Sequence, residues 1–162
     1  MDTLYGWMMY ILSLLTVGGI YAIMGLGLNL QWGITGLFNI GVAGFFAVGG
    51  YASAIATTKL SPNHLGGFDL PFFAGIIFSM FFSGLMAAII GKICLRLRGD
   101  YLAIATIGLA EILRLILKNE VWLTNGPRGI PGIPRPFENL GQPWAEICYL
   151  LIILIILAII YY

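Results

Sequence analysis

Residues 3–58 carry no aspartate, glutamate, lysine or arginine. That run is too long for one membrane span of about 20 residues and suits two joined by a tight turn. Asn29, Gln31, Trp32 and Gly33 are expected to form the turn, which places spans at about 5–28 and 34–57. The segment 59–69, KLSPNHLGGFD, reads as a loop from its Pro, Asn and Gly content. A third apolar run covers about 70–90, a length of roughly 31 Å that matches a hydrocarbon core of about 30 Å. Lys92, Arg96 and Arg98 follow as a basic collar, and Asp100 is placed to N-cap a fourth helix over about 101–117. Residues 119–143 hold five of the seven prolines and four glycines, which predicts a structured loop or a re-entrant segment rather than a helix. A last apolar run occupies about 146–162. The pattern predicts an all-α, polytopic transmembrane helical bundle of about five spans with a Pro/Gly-rich outer loop.

Composition supports this class: 60% of residues are hydrophobic and 9% charged, against roughly 45–50% and about 25% in soluble domains. A net charge of +1 provides no bulk field to draw nucleic acid or an acidic partner, so the few charges matter by position. Loops rich in Lys and Arg stay cytoplasmic. The collar of Lys92, Arg96 and Arg98 therefore predicts outward-facing loops at 59–69 and 118–144, the latter carrying Thr124, Asn125, Gly126, Pro127 and Gly129. The turn near Gln31 would face the cytoplasm and the N-terminus the outside; Lys118, Arg128 and Arg135, on the outer side, run against the rule. Cys94 and Cys148 lack C-x-x-C spacing, and the single histidine, His64, lies in a loop. No metal site, cofactor or hydrolytic pair is expected from such a set.

Three constellations stand out. In the third span Gly75, Ser79, Ser83, Ala87 and Gly91 recur at every fourth position, a ridge of small side chains that allows close helix approach in a membrane. In the second, Asn39 sits among Gly36, Gly41 and Gly44. Glycine disfavours helix by about 1 kcal/mol relative to alanine, so the span either breaks or begins late, as in transporters that bind solute at interrupted helices, or runs on as a packed Gly-rich helix. In the fourth, Glu111, Arg114 and Lys118 stand at i, i+3 and i+7 on one face, with Glu111 about 15 Å from the collar end and close to the bilayer midplane. With Thr106 and Gly108 they are expected on an inward face, either as an ion pair holding helices together or as a lining of a solute path.

The runs Gly25–Leu30, Gly36–Gly41, Gly44–Tyr51, Arg98–Gly108, Glu111–Arg114 and Leu123–Ile130 together resemble the inner-membrane permeases of bacterial branched-chain amino-acid ABC importers, of the LivM type. Permeases for urea and short-chain amides look similar, so the solute stays open. The resemblance implies a multi-pass inner-membrane protein surrounded by lipid. Its expected partners are a second permease subunit, two cytoplasmic ATPase subunits and a periplasmic solute-binding protein. Asn39, Gly41, Gly44, Thr106, Gly108, Glu111 and Arg114 would then lie in the path or the bundle interior. Family members are longer, so residues 1–162 are expected to be the N-terminal part of one permease domain. No G-x-x-x-x-G-K-[ST] phosphate loop is present, so ATP hydrolysis is expected on separate subunits. A small non-transporting scaffold or pore protein is the competing class. An intramembrane enzyme lacks a nucleophile paired with its base.

Overall fold

In the computed structural model, which describes residues 2–60, 65–94, 96–97 and 99–161, helix α1 (Asp2–Thr35) runs through the expected turn. None of Asn29, Gln31, Trp32 or Gly33 forbids helix, and one interior glycine is a penalty of only about 1 kcal/mol. The helix stops where the backbone requires it. Gly36 has φ +67°, the left-handed geometry at which a glycine just past the last turn ends a helix. The second helix then starts late: residues 36–41 are non-helical and α2 covers Val42–Thr57. Of the two readings the glycines left open, the late start is the one present, and the predicted turn is shifted into it.

Three further helices follow: α3 (Phe72–Cys94), α4 (Asp100–Asn119) and a single turn, α5 (Val121–Thr124); α6 (Trp144–Tyr161) closes the described chain. Short 3-10 turns lie at Gly126–Arg128 and Glu138–Leu140, in the proline-rich segment where no long helix was expected. Asp100 is the first residue of α4 rather than its cap. Gly99 takes the cap position with φ +54°, and no side chain bonds the helix start. Asp100 in the first turn still favours the helix dipole, as does Lys92 in the last turn of α3. Arg98 and His64 lie outside the described residues.

Among the described residues, three helices are long and apolar enough to cross a membrane: residues 3–35, 72–94 and 144–161. Helix α2, at 16 residues, is about 24 Å long. Helix α4 has 20 residues, about the length of a span, but carries Glu111, Arg114 and Lys118.

The chain divides into two units. One comprises residues 1–34 and 135–162. Within it α1 and α6 pack where Gly19 lies against Ile153, with no room for a β-carbon between them. From α6 the Tyr149 hydroxyl donates to the carbonyl of Pro136 in the segment before the helix, and the Phe137 ring stands edge-on to Tyr149.

The other unit, residues 35–134, is a three-helix assembly of α2, α3 and α4. Helices α2 and α3 join through a return that is hydrogen-bonded from Leu70 N to Ala56 O (3.1 Å) and from Asp69 N to Thr58 O (3.3 Å). Their seam is the small-residue ridge of α3. A β-carbon on Gly75 would fall 2.6 Å from Thr57 Cγ2, one on Gly49 would fall 2.8 Å from Ser79 Oγ, and Ser83 Oγ donates to Phe45 O at 3.2 Å. The ridge does not continue to Ala87, which is exposed. Successive fourth residues advance about 40° round a helix of 3.6 residues per turn, so the contact line steps back through Met86 to Ile90 and Cys94. There it forms a core with Leu102, against which Leu37, Phe45 and Leu113 pack.

Candidate functional site

The break before α2 is built from local bonds and one distant one. Asn39 Oδ1 accepts the Gly41 N–H at 2.9 Å, an Asx turn of the kind asparagine favours. Next to it the Ile40 N–H donates to Thr106 Oγ1 on α4 at 3.2 Å, while Thr106 donates to Ala103 O at 3.0 Å. Thr106 is 3% exposed, so this hydroxyl satisfies a backbone donor that no helix reaches. Two glycines make the approach possible. A β-carbon on Gly41 would sit 2.8 Å from Thr106 O, and one on Gly44 would sit 2.9 Å from Ala110 Cα. Asn39, Gly41, Gly44 and Thr106 are thus brought together, with α2 entering directly onto α4.

One turn further along α4, Glu111 and Arg114 form a two-pronged pair: Arg114 Nε donates to Glu111 Oε2 at 2.8 Å and its terminal nitrogen to Oε1 at 2.6 Å. Their side chains are 51% and 60% exposed within this chain. They border an open cavity of about 540 Å³ whose wall includes Ile40, Ala43, Gly44, Ala47 and Ile107. Thr106 and Gly108 do not share this arrangement. Two residues apart on a helix, they point about 200° from one another: Thr106 is buried against the break, whereas Gly108 is exposed and a β-carbon there would meet nothing within 4 Å.

A second cavity, of about 310 Å³, shares Ala47 and Arg114 with the first and adds Lys118, Gly126, Arg128 and Gly129. Its outer wall is fixed by the loop after α4. Thr124, fully buried, has its hydroxyl within bonding distance of Leu117 O (2.5 Å) and Glu120 O (3.0 Å) and accepts the Gly126 N–H (3.3 Å). Asn125 Nδ2 closes the turn on Gly129 O at 2.8 Å. Asn125, Gly126 and Gly129 all have positive φ, the conformation asparagine and glycine adopt at least cost. A third cavity, of about 350 Å³, shares Ala47 and Tyr51 with the second and is walled by Phe46, Gly50, Ala54, Ile130 and Ile133.

Sequence reasoning offered the break as one of two readings and singled out the pair and the loop. It missed the face of α2 that joins them. Ala43, Ala47, Tyr51 and Ala54 recur at helical spacing, a stripe of mostly small side chains that could have marked it. Ile130 and Ile133 carried no signal, because their placement depends on the turn before them. Among the described residues, no group of three His, Cys, Asp or Glu side chains could hold a metal ion.

Helices long and apolar enough to cross a membrane, with the late-starting α2 packed onto the charge-bearing α4, define a polytopic membrane protein. The chain belongs to the family described as the branched-chain amino acid transport system permease component, which matches residues 10–162. It is similar to the high-affinity branched-chain amino acid transport system permease protein LivM of Escherichia coli strain K12. The two are 43% identical over 125 residues, covering 75% of this chain and 27% of that protein. The LivM protein of Salmonella typhimurium strain LT2 is 42% identical over 121 residues, with the same coverage. The chain thus spans about a quarter of the length of these relatives. No solved structure matches it.

Proposed function

We propose that this chain contributes to the permease subunit of an ABC importer for leucine, isoleucine and valine, in the bacterial inner membrane. The observation that carries the reading is the family match over residues 10–162. The geometry supports it through the break before α2 and the hollows beside it. In this reading Asn39, Gly41, Gly44, Thr106, Glu111 and Arg114 line the solute path or hold its wall. A second permease subunit completes the path, a periplasmic binding protein delivers solute, and two cytoplasmic ATPases drive the cycle, this chain itself being non-catalytic. Lys92, Arg96 and Arg98 lie on the cytoplasmic side, and the loop with Thr124 and Pro127 faces outward. Helix α4 completes its span with Glu111 and Arg114 mutually paired, as ionisable groups inside a bilayer require.

The test is ATP-dependent uptake by the full permease, reconstituted in proteoliposomes with its partner subunits and binding protein. Labelled leucine, isoleucine and valine should accumulate. Uptake confined to urea or acetamide overturns the reading in favour of an amide permease. The orientation is read separately in intact cells: a cysteine at Asn125 should react with an impermeant maleimide and one at Arg96 should not. The reverse result overturns it.

A further inference from the structure

We infer that the second and third cavities together form a station for an amino acid with a branched apolar side chain. Lys118 and Arg128 take its carboxylate, and Phe46, Tyr51, Ala54, Ile130 and Ile133 take the side chain. The inference rests on the permease reading above and adds where, and by which residues, the solute is told from a neutral amide.

Four observations carry it. First, the two cavities share Ala47 and Tyr51 in their walls, so they lie side by side on α2, and volumes of about 310 and 350 Å³ fall in the range of ligand pockets. Second, their chemistry is split. One is lined by Arg114, Lys118 and Arg128 beside Gly126 and Gly129, the other almost wholly by carbon. Third, Arg114 is already engaged, because both Glu111 oxygens accept from it. Among the described residues the only ion pair is Glu111 with Arg114; Glu111 also acts on Lys118 across the helix face, so Arg114, Lys118 and Arg128 are set against one carboxylate and the hollow keeps a net positive charge. That excess suits an anionic group, whereas a neutral urea or amide would leave it unanswered. Fourth, the site is rigid in advance. The Thr124 hydroxyl ties the Arg128 turn to the last carbonyls of α4, and Asn125 closes that turn. Lys118 and Arg128 are therefore held on a common frame, which spares the ordering entropy a flexible loop would lose on binding.

Gly50 is the natural reporter, since it lines the apolar hollow and a β-carbon there meets nothing within 4 Å. In the full transporter, with Cys94, Cys148 and any other reactive thiol replaced, Gly50→Cys is labelled with a maleimide in the presence of L-leucine, leucinamide or acetate. Leucine should slow labelling, while leucinamide, which lacks the carboxylate, and acetate, which lacks the side chain, should not. The double variant Lys118→Gln, Arg128→Gln should label at the same rate without solute and need about tenfold more leucine for equal protection. Ala47→Cys serves as a second reporter if Gly50→Cys fails to assemble. Equal protection by leucine and leucinamide overturns the station, as does undiminished protection in the double variant. A thiol that never labels in the solute-free complex does so too, since the hollow is then filled by protein. Leucine uptake together with any of these results removes the station alone; uptake restricted to urea or acetamide removes the permease reading and the station with it.

Discussion

Gly44 lies in the first turn of α2 and Gly50 in its middle, and alanine should cost stability or leave it level at the first while raising it at the second. Alanine is favoured over glycine in a helix by about 1 kcal/mol. At Gly50, where a β-carbon meets nothing within 4 Å, that gain is retained in full. At Gly44 the new carbon would lie 2.9 Å from Ala110 Cα and 3.1 Å from Ala110 Cβ, inside the optimum carbon separation of about 3.5–4.0 Å. The obstruction is another helix's backbone, which cannot swing aside, so overpacking costs about 1–3 kcal/mol. Set against the propensity gain of about 1 kcal/mol, the net effect at Gly44 is a loss of about 0–2 kcal/mol. The two variants should therefore differ by about 1–3 kcal/mol. Cys94 gives the assay, because its thiol is only 3% exposed and becomes reactive when the α3–α4 core opens. Heating the detergent-solubilised permease with a fluorogenic maleimide, in a background where Cys94 is the sole reactive thiol, yields the midpoints. Gly44→Ala should melt below wild type or level with it, and Gly50→Ala above. A Gly44→Ala variant as stable as Gly50→Ala would show that α2 does not rest on α4 at this point.

Replacing Thr106 with valine keeps the shape of the side chain but removes the acceptor for Ile40 N–H, at about 1–3 kcal/mol for an unsatisfied buried donor. Amide exchange at Ile40 should accelerate in Thr106→Val and stay slow in Thr106→Ser; equal exchange in both would refute the bond. The seam between α2 and α3 is tested by Gly49→Cys with Ser79→Cys. A Gly49 β-carbon would lie 2.8 Å from Ser79 Oγ, and the Ser79 β-carbon stands one bond behind that oxygen, near the about 3.5–4.5 Å separation of disulfide β-carbons. Mild oxidation should close that bond, seen by mass, while Gly50→Cys with Ser79→Cys stays open; the reverse would place α2 in another rotation. Substituting Leu for Gly19 should disrupt the contact with Ile153 in the α1–α6 unit, measured as a lower melting midpoint than Gly18→Leu gives, since Gly18 faces open space. Equal midpoints would remove that contact.

What could be read from the sequence is the part governed by composition and short-range stereochemistry. Apolar runs mark long helices because a bilayer demands them, and prolines at 127, 131, 134, 136 and 143 exclude a long helix between α4 and α6. The clustering of glycines around Asn39 flagged the break. Its position was not legible, since Asn29 to Gly33 look polar enough for a turn and only the positive φ of Gly36 decides where α1 ends. The ridge from Gly75 to Ser83 was visible as a period of four, whereas its departure from the seam at Ala87 follows from the 3.6-residue repeat acting over distance. Thr106 and Gly108 were grouped by nearness in sequence, but two positions on a helix face apart. Arg128 read only as an exception to a topology rule, whereas Lys118 also fell on the helix face of Glu111 and Arg114. The convergence of Lys118 and Arg128 on one hollow depends on the turn that Thr124 and Asn125 lock, which no linear pattern displays.

The hydrogen-bonded return between Thr58 and Leu70 bears on how the protein is made. It joins α2 directly to its principal neighbour α3, so the pair is a helical hairpin whose contacts form across a short stretch of sequence, and such local contacts are the quickest to form. Alone, α2 is short and glycine-rich, a poor candidate to leave the insertion machinery for lipid. Emerging just ahead of α3, which is long and strongly apolar, it can be carried in as the passenger of a two-helix unit. The small-residue seam then forms during biogenesis, before α4 brings Thr106 to the open end.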